Sequence, residues 1–260
     1  MTAIIKRLSG SLQRDGVLGT ALKCARYPFK PILRRRAKMS WADALGMSSV
    51  EDRFRTIYQK NLWENLESAS GIGSTFWYTE PLRRELPKLV ARFSIKSIFD
   101  GPCGDFNWMK HVLPTMDVTY IGGDIVRPMI ESLKAKYEAA RVSFVHIDLI
   151  AGPIPKTDLM ICRDCLPHLS YADAKSVLSN FVVSGTRYLL ATSHTKKAGF
   201  SNHDIKTGYF RMIDIFSSPY HFPPDHLFCI EDWVAPEPER QMYLWDREQV
   251  LSALSRFGQA

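Results

Sequence analysis

The sequence lacks any apolar run of the roughly 18 residues that a membrane-spanning helix needs, and its first residues show no clear signal-peptide core. It has only five cysteines, an odd number in a chain of 260 residues that is too long to need disulfides for stability. Both absences favour a globular protein in a reducing compartment, which we expect to be the cytoplasm. With 45% hydrophobic residues, the chain can bury the core of one catalytic domain with appendages.

Two common phosphate-binding motifs are also missing. There is no G-x-x-x-x-G-K-[ST], which disfavours binding of a nucleoside triphosphate. The segment Gly101-Pro-Cys-Gly-Asp-Phe106 departs from G-x-G-x-x-G, because Phe106 replaces the third glycine and Asp105 would repel a pyrophosphate. An NAD(P)-dependent oxidoreductase is therefore the less favoured enzyme class, although it stays an alternative.

The basic charge is confined to the N-terminus. Residues 1–38 hold ten Lys and Arg against one Asp, a net charge of +9, whereas the rest of the chain holds 24 basic and 26 acidic residues, a net charge of −2. Apolar residues recur in this segment at roughly helical spacing, so we define residues 1–45 as a basic amphipathic arm. The arm is either a solvated extension or a contact with the inner membrane surface. Nucleic acid is the least favoured partner, since the remaining chain is slightly acidic.

Residues 46–95 are predicted to form a helical cap or lid region. Ser49-Val-Glu-Asp52 has the pattern of a capping box, and a second amphipathic helix starts near Pro81 and is expected to be interrupted at Pro87. Between them, the small residues of segment 68–74 favour a linker over a loop that closes on a ligand.

From residue 96 onward, short apolar segments alternate with amphipathic helices, which predicts parallel strands joined by right-handed crossovers in a doubly wound α/β sheet. The predicted strands are residues 97–99, 118–124, 142–148, 158–162 and 188–191, followed by a hairpin of 227–230 with 242–245. Asp105 or Asn107 is expected to cap a helix that runs toward Val112, and Asp246 to cap a final helix. Residues 194–226 form an irregular insertion after the fifth strand.

Carboxylates end the first three predicted strands. Asp100, Asp124 and Asp148 recur 24 residues apart, and Gly101 and Gly104 allow a sharp turn and a close backbone approach after the first of them. Because the carboxyl ends of parallel strands meet at one edge of the sheet, these groups predict a nucleoside site there. A carboxylate accepts hydrogen bonds from ribose hydroxyls or an adenine amino group, so the site suits a nucleoside without phosphate.

The segment Phe99-Asp100-Gly-Pro-Cys-Gly-Asp105, with Gly122-Gly-Asp124 and His146-Ile-Asp148, resembles the class I S-adenosylmethionine-dependent methyltransferases. The resemblance covers roughly residues 90–193. Cys162-Arg-Asp-Cys-Leu-Pro-His168-Leu-Ser170 and Asn202-His-Asp-Ile-Lys-Thr-Gly208 are similar to a bacterial branch of that family whose substrate is uncertain.

The resemblance implies a Rossmann-like seven-stranded sheet in the order 3-2-1-4-5-7-6 over residues 96–260, with S-adenosylmethionine as the cofactor. It assigns the methionine end of the cofactor to Asp100, Gly101 and Gly104, the ribose to Asp124, and the adenine to Asp148 with Leu149. Four further residues are expected to contact the cofactor: Pro102, Cys103, Ile125 and Arg163.

For the reaction itself, the loop after the fourth strand faces the reactive methyl group in this fold, which makes Asp164 and His168 the catalytic candidates. In the insertion, four polar residues are expected to contact the acceptor: Asn202, His203, Asp204 and Arg211. We expect no metal, because Cys162-x-x-Cys165-x-x-His168 lacks a clear fourth ligand.

The sequence thus favours methyl transfer to an oxygen of a sugar, glycan or related small molecule. A non-catalytic nucleoside-binding adaptor, tethered by the basic arm, is the alternative outside the enzymes.

Overall fold

The computed structural model describes residues 41–194 and 199–259, so residues 1–40 of the predicted arm, which include its charged segment, lie outside the described residues. Seven strands form one sheet: β1 Ser97–Asp100, β2 Thr119–Asp124, β3 Val142–His146, β4 Leu159–Cys162, β5 Tyr188–His194, β6 Phe228–Glu231 and β7 Arg240–Asp246. Their order is β3-β2-β1-β4-β5-β7-β6. The first five strands pair in parallel, and β7 is antiparallel to both β5 and β6. The predicted fold class and strand order are confirmed.

The central strands are apolar because both faces of the sheet are covered. All four residues of β4 and all seven of β5 are buried. One apolar cluster includes Ile98 and Tyr120, and the opposite cluster includes Phe99 and Met160. Successive side chains of one strand therefore pack on opposite faces of the sheet.

Strand β5 is three residues longer than the sequence predicts. Its antiparallel pairing with β7 continues to His194, which pairs with Arg240. The irregular insertion therefore begins after His194, and the His194 backbone is held by the sheet. The insertion returns to cover β5, where the His194 amide donates to the Ile213 carbonyl at 2.8 Å.

Six helices in the described part of the chain accompany the sheet: α1 Val50–Gln59, α2 Glu80–Arg92, α3 Met109–Val112, α4 Arg127–Tyr137, α5 Tyr171–Ser184 and α6 Arg247–Arg256. Residues 41–46 are also helical. The predicted caps at Ser49 and Asp246 form, because each side chain accepts a hydrogen bond from the backbone three residues later, and Ser170 caps α5 in the same way. No helix in this part of the chain is both long and apolar enough to cross a membrane.

Two helix predictions are wrong. Helix α2 continues through Pro87, since burial of Leu82, Leu86 and Leu89 along one face offsets the lost backbone hydrogen bond. Helix α3 begins only at Met109 and has no side-chain cap. The Asp105 carboxylate contacts the backbone and side chains of segment 67–74 instead.

Candidate functional site

A cavity of about 560 Å³ opens at the carboxyl ends of the five parallel strands, β1 to β5. One wall is the edge of the sheet with its loops, and the other wall comes from residues 41–78. Aromatic side chains from both walls face the cavity, namely Trp41, Phe54, Tyr58, Trp63, Tyr78, Trp108 and Phe210. This volume is within the range of about 300–1,000 Å³ typical of small-molecule sites.

Nine of the ten residues predicted to bind the cofactor line this cavity: Asp100, Pro102, Cys103, Gly104, Asp124, Ile125, Asp148, Leu149 and Arg163. Gly101 does not line it. A Cβ at Gly101 would lie 2.7 Å from the Phe99 ring and 3.1 Å from the Leu149 side chain, so this glycine serves close packing beneath the loop.

The two carboxylates of β1 and β2 are buried at the cavity. Burial raises the pKa of Asp100 to about 7, although Tyr120 donates a hydrogen bond of 2.8 Å to it. Burial also raises the pKa of Asp124 to about 6, against the lowering effect of amide donors at Val126 and Gly104. Both carboxyl groups are therefore partly protonated near neutral pH, and a ligand that brings positive charge or hydroxyl donors favours their ionised form.

Segment 67–74 packs directly on the glycine turn. The Asp105 carboxylate accepts from the Ser68 hydroxyl at 3.0 Å and the Ala69 amide at 2.7 Å, and the Asp105 amide donates to the Ser70 hydroxyl at 2.9 Å. Gly104 has a φ of +55°, and a Cβ there would lie 2.4 Å from that hydroxyl.

Residues in the loops after β1 and β4 also hold segment 67–74 in place. The Asn107 amide group donates to the Glu67 carboxylate at 2.8 Å and to the Ser74 carbonyl at 3.1 Å, and Arg163 donates to the Gly73 carbonyl at 2.7 Å. Residues 70–74 line the cavity. The interpretation of segment 68–74 as a linker is therefore wrong.

Asp164 belongs to a buried ionic network. Arg163 makes two hydrogen bonds of 2.9 Å to Asp232, and Arg240 contacts Asp232 at 3.2 Å and Asp164 at 2.5 Å. Burial alone would raise the pKa of Asp164, but the Arg240 and Arg163 guanidiniums outweigh it and hold the pKa well below its usual range. Asp164 is therefore an ion-pair partner that stays ionised.

The imidazole of His168 lines the cavity and contacts two aromatic rings. Its Nδ1 donates to the Tyr209 carbonyl at 2.9 Å, since a carbonyl only accepts, so its Nε2 carries a lone pair when the ring is neutral. The ring centroids of Phe210 and Trp63 lie 5.4 Å and 6.3 Å away. Burial lowers the pKa of His168, against the opposing effect of Asp164.

The residues predicted to contact the acceptor do not line the cavity. Asn202 bonds the backbone of Asp214, Asp204 accepts from the Tyr171 amide at 2.7 Å, and the buried Arg211 donates to the Tyr220 hydroxyl at 2.8 Å. His203 is exposed. Asn202, Asp204 and Arg211 thus fasten the insertion to itself and to α5.

Several cavity residues have no motif that points to them. Arg240 lies on β7, far along the chain from the glycine turn, Trp63 belongs to the cap region, and Trp41 lies in the part of the predicted arm that the structure describes. His194 also lines the cavity, and its position follows from the unexpected length of β5. Among the described residues, no group of three or more His, Cys, Asp or Glu side chains is arranged to hold a metal ion.

This strand order, with an antiparallel β7 and a cavity at the carboxyl edge of the parallel strands, is the fold of the class I methyltransferases. The resemblance seen in the sequence is confirmed at the level of the fold. No family model and no curated protein matches the sequence.

Solved structures share this fold at low sequence identity. A SAM-dependent methyltransferase from Leishmania major is 15% identical with a TM-score of 0.55, over 80% of this chain and 91% of the other. The 1,6-didemethyltoxoflavin-N1-methyltransferase of Burkholderia thailandensis, with S-adenosylhomocysteine bound, is 13% identical with a TM-score of 0.55, over 75% and 86%. Magnesium protoporphyrin IX methyltransferase from Synechocystis PCC 6803, with SAM bound, is 14% identical with a TM-score of 0.50, over 76% and 98%.

Proposed function

We propose that the cavity binds S-adenosylmethionine and that the protein transfers its methyl group to an oxygen of a small-molecule acceptor. The observation that carries this proposal is the pair of buried strand-end carboxylates, Asp100 and Asp124, facing an otherwise largely apolar cavity. A cationic nucleoside without phosphate complements two such carboxylates.

The cavity residues fit this cofactor. Asp124 would accept from the ribose hydroxyls, Asp148 with Leu149 would hold the adenine, and Asp100 with the glycine turn would face the methionine end. S-adenosylmethionine supplies a methyl group that its sulfonium already activates. A dinucleotide fits less well, because α3 starts only at Met109 and the turn before it presents no free helix N-terminus to a pyrophosphate.

His168 is the residue we propose as the general base. Its unprotonated Nε2 would accept the proton of the acceptor hydroxyl, and its lowered pKa keeps the ring neutral at physiological pH. Asp164 is unsuited to this step because its ion pair with Arg240 holds it ionised as a very weak base. We propose instead that Asp164 orients the groups around His168.

The acceptor is proposed to be a small molecule that packs against the aromatic rings next to His168. Trp63 and Phe210 flank His168 and suit the face of a sugar ring or of a planar ring. The Burkholderia and Synechocystis enzymes are named for small-molecule acceptors, 1,6-didemethyltoxoflavin and magnesium protoporphyrin IX. A sugar or related metabolite is the acceptor class expected from the sequence.

Calorimetry with S-adenosylmethionine tests the cofactor assignment. We expect micromolar binding that Asp124→Asn weakens about 10- to 100-fold, the equivalent of losing hydrogen bonds to a charged group. Asp117→Asn is the matched control, since Asp117 is an exposed carboxylate just before the same strand and should leave the affinity unchanged. Absence of binding by the wild-type protein would overturn the proposal.

Turnover separates the enzyme from the non-catalytic adaptor. Incubation with S-adenosylmethionine and a small-molecule extract should release S-adenosylhomocysteine in the wild-type protein and much less in His168→Ala. Tight binding with no turnover in any extract would favour the adaptor.

A further inference from the structure

The cavity holds a second imidazole whose proton is placed opposite to that of His168. The Nδ1 of His194 accepts a hydrogen bond from the Ile213 amide at 3.2 Å, and a backbone amide only donates. The ring proton of neutral His194 therefore lies on Nε2. Within residues 41–194 and 199–259, that Nε2 makes no hydrogen bond, and the side chain lines the cavity.

The charge state of His194 is fixed by its surroundings. Burial lowers its pKa to about 4, with Arg240 and His168 acting in the same direction and Asp164 against them. Protonation would also place a second N–H against the Ile213 amide. His194 is thus a neutral hydrogen-bond donor at physiological pH.

Both imidazoles contact the same aromatic ring. The centroid of Phe210 lies 5.4 Å from that of His168 and 6.0 Å from that of His194. One small molecule against Phe210 is therefore within reach of a lone pair on His168 and of an N–H on His194.

We propose that His194 selects the acceptor by donating its Nε2–H to an oxygen adjacent to the hydroxyl whose proton His168 accepts. The inference rests on the proposed function and narrows its substrate class to a molecule with two neighbouring oxygens. A catechol and a vicinal diol of a sugar share this chemistry. A molecule with a single hydroxyl, bound by His168, leaves the Nε2–H of His194 without an acceptor.

Histidine NMR tests the inference without turnover. The protein is labelled with ¹⁵N and ¹³Cε1 histidine, saturated with S-adenosylhomocysteine and titrated with catechol, phenol or methyl α-glucopyranoside. We expect His194 as the Nε2–H tautomer and His168 as Nδ1–H. Phenol should change the chemical shifts of His168 only. Catechol or the glucoside should change those of both histidines, and the probe that does so shows whether an aromatic or a sugar diol fits the site.

Two variants of His194 separate its two nitrogens. Asn keeps an acceptor near the position of Nδ1 for the Ile213 amide but removes the cavity donor, whereas Gln keeps a donor near the position of Nε2. We expect His194→Asn to weaken binding of the two-oxygen probe about tenfold, the typical effect of one hydrogen bond, and His194→Gln to retain most of the affinity. Unchanged affinity for S-adenosylhomocysteine shows that each variant is folded.

The inference is overturned if His194 is found as the Nδ1–H tautomer, if neither two-oxygen probe moves its signals at millimolar excess, or if His194→Asn binds the probe like the wild type. Failure of S-adenosylhomocysteine to bind is a different result, because it removes the proposed function on which the inference depends.

Discussion

At the scale of single residues, Asp100 and Asp124 are costly to bury and are nevertheless placed at the cavity. Each has a pKa raised by burial, to about 7 for Asp100 and about 6 for Asp124. Without a ligand, part of the population is therefore protonated near neutral pH. A ligand with a sulfonium, an ammonium group and ribose hydroxyls favours the ionised carboxylates, so its binding must expel these protons.

The affinity for S-adenosylmethionine should consequently depend on pH. A proton has to leave before the ligand binds, so affinity falls as pH decreases below the raised pKa values, by up to about tenfold per pH unit for each group. Above about pH 8 both groups are ionised and the affinity should level off. Calorimetry in two buffers of different ionisation enthalpy should detect proton release that grows as the pH falls below the raised pKa values and disappears above about pH 8.

Asp124→Asn is the control for that measurement, since it should abolish the part of the pH dependence centred near 6 as well as lowering the affinity. A dissociation constant that stays constant from about pH 5.5 to 8 would show that the two carboxylates do not face the ligand.

The positions of the strand-end carboxylates could be predicted from the sequence because the pattern that indicates them is local. An apolar strand followed by an acid and a glycine turn places Asp100 at the sheet edge whatever the rest of the chain does. His194 and Arg240 gave no such signal, because their positions depend on the pairing of β5 with β7, which is a long-range contact. The sequence identified the polar residues of the insertion, and the structure engages Asn202 and Arg211 in internal hydrogen bonds.

At the scale of elements, the β6–β7 hairpin is joined to the β4 loop by buried charge. Asp232 is fully buried and holds Arg163 through two hydrogen bonds, while Arg163 also fixes Gly73 of segment 67–74. The hairpin, the β4 loop and the cap region thus meet at one ionic network beside the cavity.

Removing Asp232 should be strongly destabilising. Asp232→Ala leaves two buried guanidiniums with one carboxylate fewer, and we expect a loss of about 3–5 kcal/mol in the free energy of unfolding. Denaturant unfolding measures it. The matched control is Asp117→Ala, which breaks the exposed pairs with Lys96 and Arg141 and should cost less than about 1 kcal/mol. Equal midpoints for Asp232→Ala and the wild type would contradict the buried network.

Element types were predictable from periodicity and caps, whereas exceptions came from tertiary contacts. Pro87 is tolerated in α2 because the helix buries an apolar face, and local propensity contains no information on that burial. Segment 68–74 has a linker's composition, yet Asp105, distant in the sequence, accepts its hydrogen bonds. Small residues are required there because the segment lies against the glycine turn, a reason that only the packed structure reveals.

At the scale of the whole molecule, the alternation of strands and helices was sufficient to predict the doubly wound sheet. The position of β7 between β5 and β6 was implied by the family resemblance, and the aromatic wall from residues 41–78 was found only in the structure. The cavity therefore lies between the sheet, which the sequence predicts, and the wall of residues 41–78, which only the structure shows. A ligand there has to contact both.

Binding of S-adenosylhomocysteine should accordingly stabilise both parts together. At 100 times its dissociation constant, a ligand adds about 2.7 kcal/mol to the free energy of unfolding, which for a chain of this size raises Tm by roughly 5–10 °C. Hydrogen exchange should slow at segment 67–74 and also at the loops after β1 and β2, because Ser70 and Gly73 on one side and Gly104 and Asp124 on the other line the same cavity. Asp124→Asn at the same ligand concentration should show a much smaller shift. Protection confined to the sheet loops, with segment 67–74 exchanging as before, would mean that the cap region does not contact the ligand and that the two walls are energetically independent.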